Sequence, residues 1–212
     1  VNRRRTYRGT DDLHRDHRLR GSAIKRRLAD FEAVPEAEYF YELAYCLLTP
    51  QSSAVNAGRV IERLKTAEFI ETGADPTPIL RSRDHYIRFH NTKARRLLRA
   101  REMFPDIRRA ILCGNSPSAT RIWLVGNVDG LGWKEASHFL RNIGRRGLAI
   151  LDRHILKNLV RHGVIRAQPV SLTPSRYEAI EAEFSRFAGV LGIPMDELDL
   201  LFWSNATGKI LK

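Results

Sequence analysis

Apolar residues along this chain recur at three- and four-residue intervals, the spacing of one helix face, and the sustained alternation a sheet needs is scarce. Residues 37–48 (AEYFYELAYCLL) place Tyr39, Phe40, Leu43 and Leu47 at helical spacing, and Thr49-Pro50 closes the run. Ser52 or Ser53 can then cap a helix whose apolar positions Val55, Val60, Ile61 and Leu64 share a broad face. Another helix begins at Asn91 or Thr92 and runs through Phe104, where Pro105 stops it, and residues 106–113 form a short one ended by Gly114. The pattern continues over 118–125, breaks at Gly130-Leu131-Gly132, resumes over 133–142, stops around Gly144 and Gly147, and restarts after Asp152. Thr173-Pro174 has the cap-then-proline form of a helix start, the helix continues to Gly192, and Pro194 opens the last one. The expectation is an all-α fold of about ten short helices. No repeat and no low-complexity linker interrupts them, so they pack as one body or two lobes.

Composition narrows the class. The chain has 212 residues, 43% of them apolar and 28% charged, which is the range of an ordinary globular protein. No apolar run approaches the ~18 residues a membrane span needs. The basic N-terminus lacks the apolar core of a secretory signal, so a cytoplasmic protein is expected. Two cysteines, Cys46 and Cys113, are too few for a disulfide framework or a four-thiolate metal site and read as small buried hydrophobes.

Charge adds the first functional clue. Lys and Arg number 36 against 24 Asp and Glu, a formal net charge of +12 that suits a polyanion such as nucleic acid. Residues 1–27 carry ten of the basic side chains and three acidic ones, either as a solvated segment or as an arm that tracks phosphates. A second cluster, Arg88, Lys93, Arg95, Arg96, Arg99 and Arg101, falls in a helical stretch and suggests a basic face.

Several familiar patterns fail. His14-Arg15-Asp16 echoes a kinase catalytic loop, but Gly21 stands where that loop needs an Asn, and no Gly-rich phosphate loop accompanies it. There is no GxxxxGK[ST], no GxGxxG after a strand and no HExxH. His14 and His17 can face one way on a helix but lack a third ligand, so no metal site is expected.

The informative segment is 121–156, RIWLVGNVDGLGWKEASHFLRNIGRRGLAILDRHIL. Two helical patterns flank Gly130-Leu131-Gly132, and glycines suit a tight turn whose backbone approaches another molecule closely. Exposed amides at the start of the second helix can hold a phosphate. By itself this pattern fits a purely structural hairpin as well as nucleic-acid binding. Lys134 lies in the first turn of that second helix. A helix N-terminus disfavours an ammonium, and desolvation against Trp133 or a bound base acts the same way, leaving some neutral amine able to attack carbon. A solvated surface lysine is the plainer alternative. Asp152, directly before HILKNL, reads as an N-cap, and a carboxylate fixed there is also placed to stabilise positive charge developing on a sugar.

Taken together, GLGWKEASHFLRNIG followed by LDRHIL resembles the helix–hairpin–helix motif and Lys/Asp pair of the DNA glycosylase superfamily that includes endonuclease III. LLTPQSSAVNA at 47–57 is similar to the superfamily's early LL-x-x-Q segment, and YIRFHNTKARRLLRA at 86–100 to its central helix region. The KEASHFLRNIG run, the overall length and the ending TGKILK resemble specifically the type-2 8-oxoguanine DNA glycosylases of archaea and some bacteria. The likeness covers most of residues 40–212. Endonuclease III carries four cysteines for an iron–sulfur cluster near its C-terminus, whereas this chain has none after Cys113. The larger eukaryotic type of 8-oxoguanine glycosylase has an added β-rich N-terminal domain, for which this sequence shows neither the length nor the strands.

The resemblance implies a two-lobed helical protein, one lobe from residues 1–38 plus 153–212 and one from 39–152, which flips the damaged nucleotide out of the duplex into a cleft between the lobes. It implies that Lys134 attacks C1′ of the deoxyribose and forms a Schiff base that supports β-elimination, with Asp152 stabilising the transition state. Lys212, with its terminal carboxylate, is the implied acceptor for the N7–H that distinguishes 8-oxoguanine from guanine. Trp203 is expected to stack on the flipped base, with Phe89 or His90 as the opposite wall. Gln51 is expected to fill the vacated space or contact the orphaned cytosine. Gly130 and Gly132 are expected to present amides to a phosphate, with at most a monovalent cation on the hairpin carbonyls and no catalytic metal. The expected partner is double-stranded DNA containing 8-oxoguanine, bound by a monomer with no membrane association. Two other readings stay open on the residues alone: a related glycosylase for another oxidised base, and a non-catalytic duplex-binding module built on the same hairpin.

Overall fold

The structure is a computed structural model and describes residues 6–208 and residue 210. Among these it contains twelve α-helices, two single-turn 3-10 helices and no strand. The chain divides into two compact units, one spanning 34–143 and the other joining the segment before residue 34 to 144–212. These junctions differ from the expected 38/39 and 152/153, and Gly144 shows why the second falls early. Gly144 has φ 79°, and a Cβ there would sit 2.8 Å from the Glu32 backbone, so only glycine lets the chain pass against the end of the first helix.

The 34–143 unit is built around α2 (Tyr39–Leu48), whose residues from Phe40 to Leu48 are all buried. A helix apolar on nearly every side belongs in a core, and α3 (Ala54–Thr66), α6 (His90–Glu102) and α9 (Trp133–Asn142) pack around it. Phe40, Leu43, Leu47 and Leu48 are at most 1% exposed, each contributing about 1.5–3 kcal/mol of burial. Two short helices, α4 (Phe69–Thr72) and α5 (Thr77–Leu80), link α3 to α6, while α7 (Phe104–Leu112) and α8 (Pro117–Asn127) lead from α6 to α9. Ser53 Oγ accepts the Asn56 amide and Ser116 Oγ the Ala119 amide, fixing the starts of α3 and α8.

The other unit pairs the first helix with the last. The 23-residue α1 (Thr10–Glu32) buries Leu13, Gly21, Ile24, Leu28 and Phe31 and packs on α12 (Met195–Thr207), which also receives α10 (Arg153–Arg161) and α11 (Pro174–Leu191). His17 on α1 meets Glu197 on α12 at 2.6 Å. Rings of His162, Phe184 and Phe187 gather around Phe202 and one another in stacked pairs. Thr173 Oγ1 accepts the Arg176 amide at the start of α11, and Gly192 ends that helix in the left-handed region at φ 65°.

Residues 148–151 are buried outside any helix, and three of their backbone groups are met by side chains of α11. Glu181 accepts the Ala149 amide at 2.7 Å. Tyr177 Oη donates to Ala149 O at 2.6 Å and accepts the Leu151 amide at 3.1 Å. Buried peptide groups need such partners, and here they hold the chain up to Asp152.

Several expectations from the pattern are corrected. Pro105 does not stop a helix: α6 ends at Glu102, and Pro105 lies in the first turn of α7, where a missing N–H costs nothing. Val55 is 58% exposed and lies off the buried face of α3, and Cys113 is exposed while Cys46 is fully buried. The basic leading segment, as far as it is described, is largely a docked helix, with Arg15, Arg18, Lys25 and Arg26 facing solvent.

Candidate active site

In the 34–143 unit the hairpin sits between α8 and α9. The Val128 amide donates back to Leu124 O, and the Leu131 amide donates to Val128 O at 3.1 Å, which closes the turn. Gly130 has φ 86°, a conformation that demands glycine, and a Cβ there would also displace the flexible end of the Arg96 side chain, 2.5 Å away. Gly132 is extended, with φ −84° and ψ 178°, and serves as the N-cap of α9 without a side chain to do the capping. An open depression of about 560 Å³, lined by residues 125–132, lies over this turn.

Lys134 occupies the first turn of α9 with its side chain 31% exposed and its Nζ 3.0 Å from Glu135 Oε1. The turn beneath it is braced from inside the unit. Arg121 of α8 is fully buried; its guanidinium lies 4.5 Å from the centre of the Trp133 ring and donates to Ser137 Oγ, which donates in turn to Trp133 O. Trp133 is thus packed on a guanidinium, an arrangement worth about 2 kcal/mol when desolvated. On α2, Glu42 accepts from Asn142 at 3.0 Å, and burial pushes the Cys46 thiol far above its ordinary range, leaving it inert.

The same unit holds Gln51, Phe89 and His90. Gln51 and Phe89 are exposed, and both adopt left-handed backbone, with φ 56° and 61°, a conformation costing a non-glycine residue roughly 1–3 kcal/mol. The Arg88 guanidinium lies 4.9 Å over the Phe89 ring, and the rings of Tyr86 and His90 meet edge to face. The expected basic face is used only in part by the fold. Lys93 is 2% exposed and donates to backbone carbonyls, Arg101 caps the carbonyls of Ile70 and Glu71, and Arg96 pairs with Asp129, whereas Arg88, Arg95 and Arg99 stay exposed, Arg99 pairing with the same Asp129.

Asp152 belongs to the other unit. It is the N-cap of α10: Oδ1 accepts the amides of His154 and Ile155, both at 2.8 Å, and Oδ2 accepts the indole N–H of Trp203 from α12 at 3.0 Å. His154 stands beside the Trp203 ring, 5.9 Å between centroids. The structure therefore brings Asp152 together with Trp203, and Lys134 together with Gly130 and Gly132. Lys212 lies outside the described residues. Among the described residues no three His, Cys, Asp or Glu side chains gather as a metal site, and no helix is long and apolar enough to cross a membrane.

Residues 24–193 match the family model for 8-oxoguanine DNA glycosylase, well over half of the chain. The chain belongs to the 8-oxoguanine DNA glycosylase family. A relative from Korarchaeum cryptofilum named 8-oxoguanine DNA glycosylase/AP lyase is 39% identical, covering 96% of this chain and all of its own. One of the same name from Fusobacterium nucleatum is 38% identical, covering 95% and 97%. Among solved structures, the 8-oxoguanine DNA glycosylase of Thermotoga maritima superposes with a TM-score of 0.83 at 30% identity, covering 96% of this chain and 98% of that one. The Methanocaldococcus jannaschii 8-oxoguanine glycosylase/lyase, solved in complex with a 15mer DNA containing 8-oxoguanine, gives 0.80 at 30% identity, covering 94% and 99%.

Three residues of this family member that bear on the site escaped the sequence pattern: Arg121, Lys93 and Glu135. Arg121 and Lys93 look like surface cations in a basic chain, and no spacing rule says that their partners are a buried ring and backbone carbonyls. Glu135 had a signal, since it adjoins Lys134 in the KEASHFLRNIG run.

Proposed function

We propose that this protein excises 8-oxoguanine from duplex DNA and cleaves the strand at the emptied site. One observation carries the reading above the rest: a partly exposed lysine stands in the first turn after a Gly-Leu-Gly hairpin, in a chain 39% identical over 96% of its length to a glycosylase/AP lyase. As the free amine, Lys134 Nζ bonds to C1′ while the N-glycosidic bond breaks, and the departing base keeps the bonding pair and takes up a proton. Ring opening gives an imine, loss of a C2′ proton expels the 3′ phosphate, and water releases the lysine. Glu135, 3.0 Å from Nζ, accepts the proton that the ammonium sheds before attack. Asp152, held by three N–H groups, supplies fixed negative charge as the sugar becomes cationic.

Extruding the nucleotide costs a few kcal/mol of stacking and pairing, which the protein offsets by contacts of its own. Gln51 enters the duplex at the vacated position, and Trp203, Phe89 and His90 offer ring faces to the base. Lys212 supplies the acceptor for N7–H. The amides of Gly130 and Gly132 hold a phosphate, and carbonyls of the 125–132 turn hold a monovalent cation. The protein acts as a monomer. Borohydride trapping on an 8-oxoguanine duplex, followed by peptide mapping, tests the core of this reading. An adduct on Lys134 supports it; an adduct on another side chain, or none, overturns it.

A further inference from the structure

The first turn of α6 contains a buried cation that the proposed chemistry does not use. Lys93 is 2% exposed, and its Nζ donates to Leu48 O and Pro50 O, both at 2.6 Å, and to Ser52 Oγ at 3.1 Å. An ammonium has three donors, and all three are committed. All three acceptors are neutral: the C-terminal carbonyl of α2 and two groups of the turn that follows it. Burying a charge in this way is costly unless every donor is met, and burial together with the neighbouring Arg96 lowers the Lys93 pKa to about 8. The helix end at Leu48 favours a cation, but a surface lysine would meet that need without burial.

Between two of those acceptors stands Gln51, exposed and left-handed at φ 56°. The turn makes one backbone closure of its own, from the Ser52 amide to Thr49 O at 3.0 Å. The acceptor Ser52 Oγ also takes the Arg88 amide at 3.1 Å, next to Phe89, itself exposed and left-handed at φ 61°. Asn56 Nδ2 donates to Tyr86 O, a second tie between the same two loops. One ammonium therefore lies under both loops, and its hydrogen bonds are satisfied only when residues 48–52 keep the shape that presents Gln51.

We propose that Lys93 is a positioning residue that holds the 49–52 turn in the conformation from which Gln51 enters the duplex, and that through Ser52 it fixes the neighbouring Phe89 loop to the same frame. This rests on the reading of Gln51 given above. Lys93 itself does not touch DNA. Its removal is felt as failure of insertion rather than as failure of binding.

The test uses the full chain carrying Lys134→Gln, which stops the chemistry, and an 8-oxoguanine duplex with 2-aminopurine next to the base opposite the lesion. Insertion of Gln51 disturbs stacking there and raises the fluorescence. Lys93→Met is expected to lose most of that rise while keeping its affinity for undamaged duplex. Gln51→Ala is expected to lose it equally, and the double variant to lose no more than Gln51→Ala alone. Ser52→Ala, which keeps the two carbonyl acceptors, carries the test should Lys93→Met fail to fold, and is expected to lose part of the rise. A full rise in Lys93→Met, or in Ser52→Ala where that variant stands in, overturns the proposal. So does a double variant worse than Gln51→Ala, which would mean that Lys93 acts independently of Gln51. A full rise in Gln51→Ala overturns the reading of Gln51 itself and is distinguishable because it appears with Lys93 intact.

Discussion

Trp203 donates its indole N–H to Oδ2 of Asp152 at 3.0 Å, on the oxygen that the cap of α10 leaves over. The pair gives Trp203 a role beyond offering a ring face, because its N–H sets the rotation of the carboxylate. Trp203→Phe keeps an aromatic ring and removes only the donor. Loss of a hydrogen bond to a charged group is worth about 1.5–3 kcal/mol, so single-turnover excision is expected to slow roughly tenfold or more. Affinity for the damaged duplex is expected to hold. Equal rates for Phe and Trp would assign the residue to stacking alone.

Asp152 carries two functions that substitution can separate. Asparagine caps a helix about as well as aspartate, so Asp152→Asn is expected to melt within about 1 kcal/mol of wild type while excision falls by roughly 10²–10³. Asp152→Ala is expected to lose the rate and, in addition, about 1 kcal/mol of stability from the missing cap. Thermal melts beside single-turnover rates distinguish the two variants.

Lys134→Gln is expected to abolish both base release and borohydride trapping on an 8-oxoguanine duplex while retaining DNA binding, since the hairpin backbone is untouched. Trapping that persists in this variant would remove Lys134 from the role of nucleophile.

Gly130→Ala is expected to weaken the hairpin through its left-handed φ of 86°, the Arg96 side chain beside it being free to shift aside. Backbone strain of this kind costs about 1–3 kcal/mol. The melting temperature and the affinity for undamaged duplex should fall together. Gly132→Ala, at an extended residue, should disturb both less, its new Cβ meeting only the Glu135 carboxylate at 3.0 Å.

His162 makes the fold acid-sensitive. Burial holds its pKa below the ordinary 6.5, with Nδ1 against Arg8 O at 2.7 Å and the ring stacked on Phe202. The unfolded chain therefore binds a proton at a pH where the folded protein still resists it, and stability falls as pH drops below about 6.5. His162→Phe keeps the stack without the titration. The difference in melting temperature between wild type and this variant is expected to shift in the variant's favour from about pH 7.5 to pH 5.

Local chemistry made much of this fold legible in the sequence. Ser53, Thr173 and Asp152 cap helices because their side chains reach amides two or three residues on, and that reach is encoded in a few neighbouring letters. The first helix was hidden. Its buried positions Leu13, Gly21, Ile24, Leu28 and Phe31 do follow helical spacing, but a glycine stands among them, His17 faces a carboxylate where an apolar residue would read clearly, and the surrounding residues are charged. Lys134 was legible because hairpin glycines and the lysine stand side by side. The Asp152–Trp203 pair was not, for its members are separated by fifty-one positions and only the packing of α10 on α12 brings them into register.

The pairing of α1 with α12 fixes when this protein can become an enzyme. His17 waits for Glu197, which lies 180 residues later. At ribosomal speeds that interval is roughly 10–35 s, during which a newly made α1 has its apolar stripe uncovered. The 34–143 unit can assemble while translation continues, but the carboxylate-bearing unit completes only after the final helix emerges. A chain stalled before residue 195 leaves that stripe without its cover, the kind of exposed apolar surface that favours aggregation, and loss of the last helix strands the first.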